Sequence, residues 1–357
     1  MAMTILHLFF FSLTLSDATK DSNLSDNPLI HGNRRTKLIF IYSFFIFYFS
    51  GVTPSLRPKI WRIALGLSAD DRDESDSSHY QSLIQKCHDY DVMTDDLFLL
   101  DVQYVSNDHR FFPFIDGIKE IVLCFSRDDS EAVYDVHEAM RNPYNNSGSN
   151  NYDNSATTTT TTATTNSSSS SNTNSNSNSS SNTNDNTNNE NVRCVQPFLG
   201  LTNYFAPLCY LYSNRSLLYS TASRMWNTIW CKLNVITSDK GTLLYVCKTF
   251  EDLLAFLDPK LFLHLLSLDV QPLRVAFSWL QIAFVGFFEI DQLLILWDRV
   301  LGFTDLTLFS LVATAIFISR TESLLLCTSK EKVFMILNEG SRLKVIPLLQ
   351  MILFSEK

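Results

Sequence analysis

Basic residues are in the minority in this sequence. Its 357 residues include 28 Lys and Arg against 37 Asp and Glu, so the formal net charge is −9. A nucleic-acid-binding protein needs a basic face that displaces the counterions of the phosphates. The charge balance argues against that class, and we expect no nucleic-acid partner.

Paired ligand motifs are also missing. The seven cysteines and seven histidines form no C-x-x-C or H-x-x-x-H pair, and the odd number of cysteines does not suggest a disulfide framework. The phosphate-binding loop G-x-x-x-x-G-K-[ST] and the nucleophile elbow G-x-S-x-G are absent as well. We therefore expect neither a metal nor a cofactor.

Glycine and proline number only ten each, and alternating polar and apolar residues typical of strands are scarce. Apolar residues recur instead at three- and four-residue spacing over residues 273–287 and 293–301, which predicts amphipathic helices. Leu306–Ser319 is almost entirely apolar but too short for a bilayer span, so we expect a buried core helix there. The sequence predicts an all-α fold of roughly a dozen helices packed in layers.

One internal tract has a different composition. Residues Asn145–Asn191 are almost wholly Asn, Ser and Thr, without Lys or Arg. Such a tract cannot bury enough apolar surface to offset the entropy of ordering it, which predicts a disordered insertion. Because the cost of closing a loop rises only logarithmically with its length, a single domain can tolerate the insertion. We expect one domain over residues 51–357, interrupted at 145–191.

Four motifs follow one another in the order typical of one domain family. Gly51–Trp61 reads GVTPSLRPKIW, Gly200–Leu208 reads GLTNYFAPL, and Asp258–Leu265 reads DPKLFLHL. Trp279 follows, and then Trp297–Gly302, which reads WDRVLG. These segments resemble the patterns G-V-P-x-x-L-R-x-x-V-W, G-M-N-x-x-x-A-P-L, P-x-L-x-x-H-L and W…F…W-D of the TBC domain. That domain is the fold of most GTPase-activating proteins for Rab GTPases.

The resemblance implies a multi-helix domain that binds a Rab family small GTPase and is not itself the catalyst of GTP hydrolysis. Family members supply two side chains to the GTPase. An arginine neutralises the charge that grows on the transferred phosphoryl group, and a glutamine positions the attacking water. The family is also typical of vesicle trafficking, so we expect a cytoplasmic protein that reaches endomembranes only through its partner.

Neither catalytic side chain stands where the family pattern places it. The arginine pattern I-x-x-D-V-x-R aligns with residues 98–104, where Asp101 matches but Tyr104 replaces the arginine. The glutamine pattern Y-x-Q-G aligns with residues 197–200, where Leu199 replaces the glutamine. A phenol is uncharged at neutral pH, and a leucine side chain cannot hydrogen-bond to water. The alignment predicts a TBC domain that binds a GTPase or another trafficking protein without accelerating hydrolysis.

A second alignment keeps an arginine. Residues 107–113 (NDHRFFP) resemble the family pattern D-x-x-R-T-F-P, which would make Arg110 the arginine finger of an active Rab GTPase-activating protein. We favour the Tyr104 alignment, because the Asp-Val pair and the apolar run before it both match. Gln196 is the corresponding alternative for the glutamine, and the match at Gly200 argues against it.

Residues 1–50 look unlike the rest of the chain. Leu38–Ser50 (LIFIYSFFIFYFS) is apolar and follows a basic cluster at residues 34–37. Three interpretations remain open: a membrane anchor, a packed element, and an artefact of the gene model. We favour the artefact, because Phe, Ile and Tyr have T-rich codons like the 3′ end of an intron. The anchor would make the protein a membrane-bound scaffold, but the residues from Gly51 that would complete a span sit poorly in lipid.

Overall fold

The structure is a computed structural model, and the residues it describes are 52–68, 74–128, 197–234, 239–340 and 342–354. Residues 1–50, the tract at 145–191 and Gln196 lie outside these ranges, so the expectations about them stay predictions. In the described ranges the chain forms helices and turns and no strand, which confirms the all-α prediction.

In the described residues before the gap at 129–196, the chain forms four α-helices. They are α1 (Arg57–Ala64), α2 (Glu74–Asp89), α3 (Asp95–Ser106) and α4 (Ile115–Ser126), with a 3₁₀ turn at Phe112–Phe114. The second half begins with 3₁₀ turns at Leu201–Tyr204 and Ala206–Tyr210, and a further one lies at Trp230–Asn234. Its α-helices are α5 (Arg215–Thr228), α6 (Leu243–Leu257), α7 (Pro259–Ser267), α8 (Pro272–Gln281), α9 (Ile290–Phe303), α10 (Thr307–Ser319), α11 (Thr321–Leu325), α12 (Lys330–Leu337) and α13 (Val345–Phe354).

Prolines and capping side chains mark several helix starts. Pro58, Pro259 and Pro272 lie in the first turns of their helices, where no intrahelical amide donor is needed. The carboxylate of Asp258 accepts a hydrogen bond from the Leu261 amide at 3.0 Å and so caps α7. Asn214 caps α5 in the same way, through the Ser216 amide at 3.0 Å. The D-P-x-L order at 258–261 is therefore a helix-start signal.

The two halves of the chain pack against each other. Helix α4 lies between α3 and α5, and α2 packs on both α4 and α5. The rings of Tyr80 and Tyr219 lie 5.5 Å apart across the contact between α2 and α5. The Tyr219 hydroxyl also donates to Asp128, the last described residue before the gap, at 2.6 Å. Residues on both sides of the insertion therefore belong to one packed body.

The centre of the second half is α10. Ten of its residues, Leu308 through Phe317, are buried, and the helix packs against α6, α8 and α13. This confirms the prediction of a core helix at 306–319. A row of packed aromatic rings continues the core towards α1, with ring centroids 6.2 Å apart for Phe309 and Trp230, 4.7 Å for Trp230 and Trp297, and 6.4 Å for Trp297 and Trp61.

The helix predicted from the spacing over 273–287 is too long. Helix α8 ends at Gln281, where the Phe284 amide bonds back to the Trp279 carbonyl at 2.7 Å and Ala283 takes a left-handed φ of 53°. This closure satisfies carbonyls that the last helical turn leaves unpaired. Phe277, which the spacing placed on the apolar stripe, is 41% exposed.

No helix among the described residues is long and apolar enough to cross a bilayer.

Candidate functional site

The opening motif and the Trp-Asp pair form one buried cluster around Asp298. The Asp298 carboxylate is inaccessible to solvent, and the Arg57 guanidinium donates to both of its oxygens at 2.9 Å. The indole Nε1 of Trp61 donates to the same carboxylate at 2.7 Å, and the Val52 amide at 3.4 Å. Two parallel bonds from a guanidinium are the strong form of such a pair. These motif residues hold α1 against α9, which is a structural role.

A second buried carboxylate, Asp101, connects the two segments that align with the family's catalytic motifs. It lies on the inner side of α3 and is 3% exposed. Its Oδ1 accepts the Gly200 amide at 2.6 Å, and its Oδ2 accepts the Thr202 amide at 2.7 Å and the Thr202 hydroxyl at 2.5 Å. A carboxylate is favoured at this place because the first amides of the 3₁₀ turn have no partner within the turn. Asp101 therefore fastens the loop at 199–202 to α3.

Gly200 is required by the shape of this loop. Its φ is 107°, which L side chains rarely adopt, and a Cβ there would meet Ile282 Cγ2 at 3.4 Å. The glycine of the aligned Y-x-Q-G pattern thus allows the turn that brings the Gly200 amide to Asp101.

Tyr104 and Leu199 lie at the outside of this arrangement. Each is 64% exposed. Tyr104 is almost one helical turn beyond Asp101 on α3, and Leu199 directly precedes the amide that Asp101 binds. We call the exposed margin formed by Tyr104 on α3 and the loop at 199–202 the Asp101 edge. Its two side chains at the aligned catalytic positions offer a phenol and an isobutyl group, and neither carries a charge at neutral pH.

Arg110, the other arginine considered from the sequence, is held inside the fold. Its guanidinium pairs with Asp108, with Nε–Oδ1 at 2.9 Å and Nη2–Oδ2 at 2.6 Å. The same group donates to the Phe288 carbonyl at 3.0 Å and the Gly286 carbonyl at 3.3 Å. The Arg110 side chain is only 17% exposed. It joins the segment after α3 to the turn that follows α8.

The electrostatics of this pair agree with its geometry. Burial raises the pKa of Asp108, but the hydrogen bonds from Arg110 outweigh that rise and hold the pKa below its usual value of 3.8. The hydrogen bond to Asp108 raises the pKa of Arg110 further above its ordinary range. The pair is therefore ionised on both sides near neutral pH.

Two features were missed at the level of sequence. The exposed apolar residues of α3, Leu97 and Leu100, were treated as part of an apolar run, although their spacing from Tyr104 was readable. The pairing of Asp76 on α2 with the buried Arg62, at 2.7 Å, joins residues 14 positions apart and has no signal in the sequence. Among the described residues no group of His, Cys, Asp and Glu is arranged to hold a metal ion.

Comparison with known proteins agrees with this architecture. The model of the Rab-GTPase-TBC domain matches residues 188–326. Human TBC1 domain family member 19 is 32% identical over 306 residues, which are 85% of this chain and 52% of that protein. The chain thus spans about half the length of this relative.

Two solved structures show the same fold. The Ypt/Rab-GAP domain of Gyp1p is 12% identical, with 94% of each chain covered and a TM-score of 0.56. The flagellar RabGAP TBC domain of Chlamydomonas is 11% identical, with 99% of this chain and 92% of that one covered and a TM-score of 0.53. The chain therefore carries a TBC domain of the Rab GTPase-activating protein family.

Proposed function

We propose that this TBC domain binds a Rab family GTPase at the Asp101 edge without accelerating GTP hydrolysis. The observation that carries the proposal is the set of bonds from Asp101 to Gly200 and Thr202. These bonds support the alignment in which Tyr104 and Leu199 stand at the positions of the arginine and the glutamine. Any contact with endomembranes would then come through the bound GTPase.

The missing arginine is enough to remove most of the activity. An arginine finger contributes about 10³–10⁵ in rate, which corresponds to about 4–7 kcal/mol of transition-state stabilisation. A tyrosine hydroxyl at that place supplies no positive charge to the phosphoryl oxygens. Arg110 is a poor substitute, because using it would break its pair with Asp108 and two bonds to backbone carbonyls.

Single-turnover GTP hydrolysis across a panel of Rab GTPases tests the proposal. We expect the full chain to leave each intrinsic rate unchanged within about a factor of three, far below the effect of a finger. The Arg110→Ala variant should behave like the parent protein. Strong acceleration that Arg110→Ala abolishes would overturn the proposal and establish Arg110 as the finger.

The nucleotide state of the partner gives a second test. A catalytic activator binds the transition state more tightly than the ground state. Because the Asp101 edge presents no cation at the aligned position, a Rab bound here should show the same affinity with GDP·aluminium fluoride as with a GTP analogue. A gain in affinity of more than about tenfold with GDP·aluminium fluoride would contradict the absence of an arginine finger.

Introducing the arginine and the glutamine at positions 104 and 199 tests the alignment of these positions directly. Tyr104→Arg combined with Leu199→Gln should raise hydrolysis of a bound Rab by about 10³ or more. Tyr104→Met with Leu199→Gln is the matched control, since it keeps the bulk and lacks the charge. Both positions are exposed, so the fold should tolerate either pair. Binding is measured separately, and an inactive Arg-Gln variant that still binds its Rab would show that the alignment is wrong.

A further inference from the structure

Helix α3 carries apolar side chains on its outer face. Leu97, Leu100 and Tyr104 are 54%, 58% and 64% exposed and follow one another at three- and four-residue spacing. Met93, in the turn before the helix and four residues before Leu97, is 97% exposed. We call Met93, Leu97, Leu100 and Tyr104 the α3 stripe. Its helical part, from Leu97 to Tyr104, extends over about 10 Å at a rise of 1.5 Å per residue.

The inner face of the same helix is already occupied by the core. Phe98, Val102 and Val105 are each at most 3% exposed and pack into the fold. A helix on a protein surface is normally polar on the face opposite the core. Helix α3 exposes Leu97, Leu100 and Tyr104 beside the polar Asp96 and Gln103, so apolar residues also lie on its outer face, which indicates a second packing surface.

The spacing of the stripe fits another helix. Side chains three and four residues apart line up along one side of a helix and form the seam in helix pairs. Within its α-helical part, Leu97, Leu100 and Tyr104 have that spacing. A partner helix of about three turns would cover the whole stripe.

The charged residues next to the stripe along the chain are all acidic. From Asp89 to Asp108 the chain contains no Lys, Arg or His. Asp101 and Asp108 make their bonds inside the fold, whereas Asp91 and Asp96 are exposed beside the stripe. A partner that complements this surface carries basic residues next to its apolar ones.

We propose that the α3 stripe is the docking surface for an amphipathic helix of a partner protein. The partner helix lays Leu-like side chains spaced three and four apart onto the stripe and places Lys or Arg opposite Asp91 and Asp96. This interaction does not require that the domain bind a GTPase. Because Tyr104 belongs to both the stripe and the Asp101 edge, a bound helix and a bound GTPase would exclude each other.

Fluorescence anisotropy with synthetic helices tests the docking surface on the full chain. The probe is a fluorescein-labelled, hydrocarbon-stapled helix of about 18 residues, long enough for the stripe, with Leu at three- and four-residue spacing and Lys on both flanks. One control peptide has Glu in place of Lys, and another has the same composition with the Leu residues scattered around the helix. We expect the probe to bind at least about tenfold more tightly than either control.

Point variants locate the binding. Leu97→Ser and Leu100→Ser should each weaken binding of the probe by about tenfold or more. Both residues are exposed, so we expect both variants to fold. Leu263→Ser, at a 65% exposed leucine on α7, is the matched control and should change nothing. Asp96→Lys should shift the preference from the Lys-flanked to the Glu-flanked peptide.

Several results would overturn this proposal. Equal affinity for all three peptides would show that the peptides adhere nonspecifically. An equal loss of probe affinity in Leu263→Ser and Leu97→Ser would show the same. A dimer in light scattering that Leu100→Ser dissociates would make a second copy of the chain the occupant. Probe binding that appears only after deletion of residues 38–50 would assign the stripe to that segment of the chain. Since no GTPase is present, none of these outcomes depends on the proposed Rab binding.

Discussion

Two buried carboxylates, Asp298 and Asp101, organise two regions of this domain in the same way. Asp298 accepts hydrogen bonds from Arg57, Trp61 and Val52, more than 230 residues away in the chain. Asp101 accepts three bonds from the loop at 199–202, about a hundred residues away. Both carboxylates therefore fasten segments that are distant in sequence.

The two regions differ in what surrounds the carboxylate. Around Asp298 the family-pattern residues Arg57, Trp61 and Asp298 itself are present, and all three are buried. Around Asp101 the inward-facing residues, Asp101 and Gly200, match the pattern, while the outward-facing Tyr104 and Leu199 do not. Under the Tyr104 alignment, the residues that build the fold match the family pattern and the two residues at the catalytic positions do not, which is the arrangement that the proposed function requires.

The largest effect should come from removing Asp298. In Asp298→Ala the buried Arg57 guanidinium loses the carboxylate that accepts two of its hydrogen bonds, and breaking such a buried pair costs about 3–5 kcal/mol. Urea unfolding measures the change in the free energy of unfolding. The control is Asp252→Ala, at an exposed i,i+4 pair with Lys248, which should cost about 0.5 kcal/mol or less. Similar losses in both variants would mean that the Asp298 cluster is not what joins α1 to α9.

The next effect concerns Asp101. Asp101→Asn replaces one acceptor oxygen by an amide nitrogen, so at least one of the three donors from the loop loses its partner, at about 1–3 kcal/mol. The control is Asp96→Asn, at an exposed position of the same helix. Its free energy of unfolding should stay within about 0.5 kcal/mol of that of the parent protein. Equal stability of the two variants in urea would remove the basis for placing Leu199 beside α3.

Two glycine substitutions should change the free energy of unfolding in opposite directions. Gly200→Ala strains a backbone with φ of 107° and presses on Ile282, so we expect a loss of about 1–2 kcal/mol. Gly117→Ala lies within α4, where its Cβ meets only Arg215 Nε at 3.8 Å, and should stabilise by about 0.5–1 kcal/mol. Thermal unfolding of the two variants and the parent protein measures both changes in stability. A stabilised Gly200→Ala would contradict the loop geometry at the Asp101 edge.

The smallest effect depends on pH. Arg110→Ala should cost about 1 kcal/mol near neutral pH, because Asp108 loses a partly exposed ion pair. The lowered pKa of Asp108 means that this stability is present above its unfolded value of 3.8 and is lost as the pH falls through the folded value. Urea unfolding at pH 7 and pH 3 should show the difference between variant and parent shrinking with acid. A difference that does not change with pH would show that Arg110 acts by packing alone.

The all-α class and the core helix α10 were predictable, because apolar spacing and the lack of strand patterns are local signals. The end of α8 was not, since the spacing over 273–287 continues past the closure at Ala283 and Phe284. The involvement of Arg110 with the carbonyls at 286 and 288 was equally hidden, because it joins residues about 176 positions apart. The exposed side of α3 could have been read from its spacing, but which face meets the core depends on the neighbouring helices.

The sequence by itself determined the family resemblance, the helical class and the identities of Tyr104 and Leu199. These are properties of residue order and local periodicity. Only the tertiary structure decided that Asp101 fastens the loop of Leu199 to the helix of Tyr104 and that Arg110 is bound to the carbonyls of Gly286 and Phe288. Both facts depend on hydrogen bonds whose geometry is set when separate segments pack together, and no local pattern encodes that geometry.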